Sequence, residues 1–491
     1  MELLTNLQGG LTYVLGVVPI LTIILGVSMG IIAGATPGLS PSMGVALLVP
    51  FTYTMSPTLA LILLVSIYIA ANYGGSITAV TINAPGTPSS VVTSFDGYPL
   101  TKKGKPGMAL GVSLVASTVG GIIGTLILIL FSGPLAKVAL GFHPAEYFAL
   151  AIFGLSTVAS LGGKNWIKAF IAAMFGLLLN TIGIDPISGV SRFTFGLSFL
   201  YDGFALIPAL IGLFALSEIF KQLEHGNLSS RGATDSTQEW PTIGTYWRLK
   251  ITILRSSLMG TIIGIFPGAG ATIAAFISYD VSKRFSKKPD EFGKGSLEGV
   301  AAAEGANSSS VGGALIPLLT LGIPGSASTA VLIGALMIHN LTPGPLLFKS
   351  NPEIIYGLLA SLLLANVVLL VLGFFGSRLW IKVTIIPKTI LFPVIFAVSI
   401  IGSFAVRSSF FDVAACLAFG VFGWILRRYN YPVAPIVLGM VLGNIAETNF
   451  IRAVMMGGWS VFFTRPTSLI MLIVAVSSFA IPLIQAHKTK K

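Results

Sequence analysis

Charge is scarce in this chain. Asp, Glu, Lys and Arg make up 9% of its 491 residues, against about 25% in a water-soluble domain, and so few charges cannot cover a polar surface. A single cysteine, Cys416, excludes an intrachain disulfide. The four histidines, His143, His225, His339 and His487, are scattered without Cys partners, so no zinc-ligand spacing exists. No G-x-x-x-x-G-K-[ST] phosphate loop occurs, and ATP hydrolysis on this chain is not expected. The start, Met1 to Gly10, lacks a basic stretch, and the apolar run after it continues to Ala33 with no evident cleavage site. It reads as a retained membrane helix, not a removed signal peptide.

What is abundant is apolar sequence, 54% of the chain, with 56 Gly and 27 Pro. Runs near twenty residues, enough to cross a hydrocarbon core, recur from 11–34 to 466–485. A membrane β-strand alternates apolar and polar residues, whereas Ile122–Phe131 is almost continuously apolar. The expected fold is therefore an all-α polytopic membrane protein. The net charge of +12 sits in short clusters between apolar runs, as in cytoplasmic loops. Lipid is the implied partner, and nucleic acid is not.

The longest polar stretch, Lys221–Leu249, separates two halves that repeat. Residues 30–39 (GIIAGATPGL) align with 260–269 (GTIIGIFPGA), and a second Pro-Gly follows in each half, at Pro85-Gly86 and Pro324-Gly325. The reading is a first membrane repeat over 1–220, a cytoplasmic linker over 221–248, a second repeat over 249–485 and a basic tail over 486–491. Between its two breaks the first half is uncharged, and Lys102, Lys103 and Lys105 follow the second break. The second half instead has Lys283 to Lys294 between its breaks. If basic loops stay in the cytoplasm, the repeats are inverted. Inverted repeats with broken helices and re-entrant hairpins point to a secondary transporter, rocking or elevator-like, whose substrate sits near the bilayer midplane.

Pro-Gly inside a membrane segment frees backbone groups that lipid cannot satisfy, so each break must face protein, water or ligand. Thr87, Ser89 and Ser90 follow Pro85-Gly86, and Ser326, Ser328 and Thr329 follow Pro324-Gly325. Hydroxyls there suit the start of a half-helix, whose N–H groups and positive dipole end would hold a carboxylate. Two such tips would face each other across an anion. The bland alternative is a set of ordinary proline kinks.

Asn72 and Asn83 in the first half, and Glu304 and Asn307 in the second, are the candidates for a coupling cation or proton. Glu304 reads equally well as a solvated residue near a helix start. Glu447 has Arg452 as a candidate ion-pair partner. Gly26, Gly30 and Gly34, repeated as Gly260, Gly264 and Gly268, read as a close-packing ladder. Gly26 to Gly30 also fits G-x-S-x-G around Ser28, but that nucleophile pattern needs a strand-turn-helix context, and an enzyme is not expected. Sequons at Asn227 and Asn307 are unpersuasive in a cytoplasmic linker and an apolar helix.

These motifs resemble the large membrane subunit of the bacterial tripartite tricarboxylate transporters, the TctA type. The resemblance runs through residues 34–53, 72–100, 183–196, 264–270, 304–336 and 443–453, the last reading GNIAETNFIRA. It implies a permease of the bacterial cytoplasmic (inner) membrane, working with a small four-helix membrane subunit and a periplasmic substrate-binding protein. It further implies import of an organic carboxylate such as citrate, driven by a Na+ or H+ gradient and without another cofactor. The family's signatures fall on Pro37-Gly38, Pro85-Gly86, Pro267-Gly268 and Pro324-Gly325. Asn307-Ser308-Ser309-Ser310 stands where relatives often have Asn-Asn or Asn-Ala after the acidic residue. A passive carboxylate channel or scaffold is the competing reading.

Overall fold

A computed structural model describes residues 2–36, 38–161, 166–185, 187–224, 239–267, 270–377, 379–380 and 388–488. Among the described residues eight helical spans are long and apolar enough to cross a membrane. Because lipid offers no hydrogen-bond partner, apolar sequence closes its backbone bonds within helices. Proline marks several helix starts, where its missing N–H is no loss.

The first half opens with α1 (Glu2–Val14) and α2 (Val17–Ala35), which divide at Leu15-Gly16 the run expected to be one helix from residue 11. Then come α3 (Pro41–Leu48), α4 (Pro57–Ile82), α5 (Ser90–Lys102), α6 (Pro106–Ala139), α7 (Pro144–Leu161) and α8 (Trp166–Asn180). A small exception to the all-helical reading follows, the hairpin β1 (Gly183–Ile184) with β2 (Ser191–Arg192), Gly183 opposite Arg192. Next are α9 (Leu206–Leu210), a π-helical turn over Ile211–Leu216 and α10 (Ser217–Glu224). Helix thus continues past residue 220, and resumes as α11 (Ile243–Ile265), before the expected end of the linker. The second half continues through α12 (Gly270–Phe285), α13 (Leu297–Leu321), α14 (Ala327–Ile338), α15 (Pro345–Ser350) and α16 (Pro352–Phe375). It ends with α17 (Lys388–Arg407), α18 (Phe410–Arg428), α19 (Ala434–Gly457), α20 (Val461–Thr464) and α21 (Pro466–Lys488).

The centre of the molecule is built on α4 and α13. The apolar span of α4 is buried along its whole length, and α13 is buried from Gly299 to Thr320. A helix with no exposed face belongs inside a bundle, not against lipid. Small residues let neighbours approach: Gly26, Gly30 and Gly34 of α2 meet Ser66, Ala70 and Gly74 of α4 in ascending order, so the two helices run the same way. Gly260 and Gly264 of α11 meet Ser309 and Gly313 of α13 in the same manner. On another side of α13, Gly120 and Gly124 of α6 lie against Gly305 and Gly312. The ladder is tightest at Gly34, where an added Cβ would sit 2.1 Å from the Ala71 carbonyl oxygen.

Each central helix ends in a left-handed cap, Asn83 (φ 53°) on α4 and Gly322 (φ 73°) on α13. The next N–H turns back in both, from Ala84 to the Thr78 carbonyl (3.3 Å) and from Ile323 to the Pro317 carbonyl (3.2 Å). These bonds satisfy carbonyls that a helix end leaves orphaned. The chain then dips back along its own helix: the Gly86 N–H bonds the Gly75 carbonyl at 3.2 Å, and Gly325 packs on Ala314. Both returns span the same eleven residues, 86 minus 75 and 325 minus 314.

After its dip, α5 resumes the direction of α4, with Gly97 against Val80. It runs against α13, because Thr93 meets Glu304 while Asp96 meets Ser296. The pair α2 and α4 therefore points opposite to the pair α11 and α13.

Candidate anion cavity between two broken helices

Helix α3 begins just past the first break. Ser40 is its N-cap, accepting from the Met43 N–H at 3.2 Å, and the Ser40 and Ser42 hydroxyls are 2.9 Å apart. Gly38 precedes it with φ 97°, a conformation that favours glycine. At the second break Thr87 and Ser90 cap one another: Thr87 N–H donates to Ser90 Oγ (3.1 Å) and Ser90 N–H to Thr87 Oγ1 (3.3 Å). Ser326 and Thr329 form the same reciprocal pair before α14, at 2.7 and 3.2 Å. The counterparts are 239 positions apart, 326 minus 87 and 329 minus 90. A capping box satisfies two N–H groups internally. The other N–H groups of the first turn have no intrahelical acceptor.

The segments entering α3 and α5, with the first turn of each, line one cavity of about 510 Å³, with Gly38, Ser40 and Ser42 on one side and Pro85, Gly86, Thr87, Pro88 and Val91 on the other. Its remaining wall is Phe214, Glu218, Lys221 and Arg427, from α10, the π-turn before it and α18. Arg427 donates to Glu218 Oε2 at 2.9 Å and to the Ser217 hydroxyl at 3.0 Å. A guanidinium paired with the Glu218 carboxylate, an ammonium and two positive helix ends thus border one space, a net positive lining that suits an anion. The second break packs on the last turn of α2: a Cβ on Gly86 would lie 1.9 Å from the Gly34 carbonyl oxygen.

The structure brings most of the expected site residues to three places. Gly38, Pro85, Gly86 and Thr87 line the cavity, and buried Ser89 hydrogen-bonds Thr87 through their hydroxyls at 3.1 Å. Pro324, Gly325, Ser326 and Ser328 are not among the described residues lining it; that tip packs on Ala314, and Tyr68 of α4 reaches the Ser326 hydroxyl at 2.9 Å. Pro267 is buried beyond the end of α11. Pro37 and Gly268 lie outside the described residues.

The third place is polar and deeply buried. Glu304 is 0% exposed, which removes the solvated reading. Its Oε1 accepts from the Thr93 hydroxyl of α5 and its Oε2 from Ser117 of α6 at 2.8 Å. Asn307, on the same face of α13, donates to the Asn72 carbonyl at 3.3 Å, and Asn72 donates to the Tyr68 carbonyl at 2.9 Å. Asn83 is not part of this group; it is the exposed cap of α4. Thr93, Ser117, Tyr68, Lys221 and Arg427 escaped the sequence reading because each joins its site from a distant element. Only the nearness of Thr93 to the second break was a visible signal.

A separate cavity of about 480 Å³ lies between α8, the segment after it and α19. Glu447 there pairs with Arg192, not with the expected Arg452. The hydrogen bond it donates to Glu447 is the main reason the Arg192 guanidinium is held above its usual value. Ser28 lies inside α2, its hydroxyl bonded to the Ile24 carbonyl at 2.8 Å. The sharp turn of a nucleophile elbow is therefore absent at Ser28. Asn307 is fully buried and Asn227 lies outside the described residues.

Comparison with known proteins agrees with this architecture. The model of the tripartite tricarboxylate transporter TctA family matches residues 20–438. A protein of Agrobacterium vitis described as an uncharacterized 52.8 kDa protein in the TAR-I ttuC' 3' region is 38% identical, over 100% of this chain and 98% of its own. A second from the same organism, an uncharacterized protein in the TAR-II ttuC' 3' region, is 37% identical over 47% of this chain and 97% of its own. No solved structure matches. With the family's model covering most of its length, this multi-pass membrane chain belongs to the tripartite tricarboxylate transporter TctA family, a transporter component.

Proposed function

We propose that this chain imports a small di- or tricarboxylate across the bacterial inner membrane by secondary transport coupled to a Na+ or H+ gradient. The substrate arrives from a periplasmic binding protein, and a small four-helix membrane subunit completes the complex. The observation that carries this reading is the cavity bordered by the first turns of α3 and α5 together with Arg427 and Lys221. Each helix end contributes on the order of 0.3–2 kcal/mol toward an anion. The Arg427 guanidinium, whose Nε and Nη1 hold Ser217 and Glu218, would offer its remaining N–H groups to a carboxylate.

Antiparallel central pairs and equal chain returns support an inverted-repeat transporter. The basic loops meet on one side, where Lys103 Nζ donates to the Lys294 carbonyl at 2.6 Å. That side is the cytoplasm by the positive-inside rule. Alternating access then moves the broken helices relative to the rest of the bundle, by rocking or by an elevator-like slide.

The test is citrate uptake by proteoliposomes holding this chain with the small subunit and the binding protein, under imposed sodium and proton gradients. Accumulation above equilibrium, reduced at least tenfold by Thr87→Val and Ser40→Ala, is expected. Equilibration without accumulation would establish the passive channel instead, and full uptake in both variants would remove the cavity from the pathway.

A further inference from the structure

Glu304 poses an unbalanced charge. Its carboxyl is fully enclosed, and among the described residues no Lys, Arg or His lies within 4.0 Å of it. Two hydroxyls donate to it, from Thr93 and Ser117, but hydroxyls do not neutralise a charge. An uncompensated carboxylate in such a place is strongly disfavoured. Something carrying one positive charge must accompany it.

The neighbouring atoms indicate what that is. Asn307 and Ser308 follow Glu304 by three and four positions, which puts all three on one face of α13. Both are buried, at 0% and 2% exposure. The Asn307 amide nitrogen is turned to the Asn72 carbonyl at 3.3 Å, so its oxygen is the atom left over. Asn307 Oδ1 and Ser308 Oγ have no hydrogen-bond partner in the protein. One proton on Glu304 would remove the charge but could serve only one of these oxygens. A hard cation takes several oxygen ligands at once.

We infer that Glu304, Asn307 and Ser308 of α13, with the Thr93 hydroxyl of α5, form a sodium site. Thr93 ties this site to transport. Its helix begins at the cavity, which Val91 lines and Thr87 lines just ahead of it, so a cation held by both Thr93 and Glu304 adds to their direct hydrogen bond and holds the first turn of α5 against the anion. By linkage, sodium and carboxylate then raise each other's affinity by the same factor. That consequence rests on the proposed transport function; the cation site does not.

Thermal unfolding of the purified full chain in NaCl, KCl and N-methylglucamine chloride at equal ionic strength tests the site without any carboxylate. A saturable upward shift specific to sodium is expected, kept in Thr93→Ser and lost in Thr93→Val and Glu304→Gln. Identical unfolding in the three salts, or a response to pH alone, overturns the inference. Because Glu304→Gln is at risk of misfolding, Thr93→Val against Thr93→Ser is the deciding pair. Citrate binding in the complete complex with and without sodium separates the two ideas. A sodium shift without citrate binding leaves the site standing and removes the transport reading. Citrate binding indifferent to sodium, with no sodium shift, removes the site alone.

Discussion

The hydroxyl of Tyr68, in the middle of α4, lies 2.9 Å from the hydroxyl of Ser326, which caps α14. It ties the central helix of the first half to the broken tip of the second. Tyr68→Phe removes only this bond, because Ser326 keeps Thr329 as its reciprocal cap. The expected loss is about 1 kcal/mol, against roughly 1–2 kcal/mol for Ser326→Ala, which removes the cap as well. A double-mutant cycle by thermal unfolding should return a coupling of at least 0.5 kcal/mol, as an order of magnitude for touching residues; strict additivity would show the contact to be incidental.

Gly86→Ala should be among the most damaging glycine substitutions. Its Cβ would meet the Gly34 carbonyl oxygen at 1.9 Å, and neither backbone can withdraw while the Gly86 N–H is bonded to Gly75. Overpacking of this kind costs about 1–3 kcal/mol or more. Gly133→Ala, in α6 with nothing within 4 Å of its added carbon, is the control and should gain roughly 0.5–1 kcal/mol. Yields and unfolding temperatures in detergent that failed to separate the two would contradict the packing described.

Arg427→Gln leaves Glu218 in the cavity wall without its 2.9 Å partner. Citrate uptake should fall at least tenfold, and stability with it. Adding Glu218→Gln should recover much of the stability, since no charge is then left unpaired, but not the uptake. Recovery of both would reduce Arg427 to a structural role.

Asp96 is a clamp between α5 and the chain entering α13. One oxygen accepts the N–H groups of Gly293, Gly295 and Ser296, each at 2.8 Å, and the other accepts the Tyr279 hydroxyl at 2.8 Å. Asp96→Asn keeps one acceptor oxygen, loses the charge and presents an amide where the hydroxyl donates. The expected loss is about 2–3 kcal/mol, since bonds to a charged acceptor contribute roughly 1.5–3 kcal/mol each. Hydrogen exchange over 293–296 should accelerate in the variant; unchanged protection would mean that the loop is held by other contacts.

Much of this molecule is written locally. Apolar runs and prolines at helix starts mark the spans, and the glycine ladders mark where helices approach. Pro-Gly marks where they break, because a missing N–H and a free φ act within one turn of the residue that causes them. Glu304 was open on sequence evidence, since its one-dimensional context fits a helix start and a bundle interior equally. The packing of α5 and α6 on α13 enclosed it, by bringing Thr93 and Ser117 to its two oxygens. Likewise the sequence marked four tips without saying which share a space: the fold sets Gly38 and Gly86 on one cavity and recruits Arg427 to its wall. Helical periodicity carries information over a few turns, whereas partners hundreds of residues apart are chosen by which small-residue faces can approach most closely, and only the folded chain decides that.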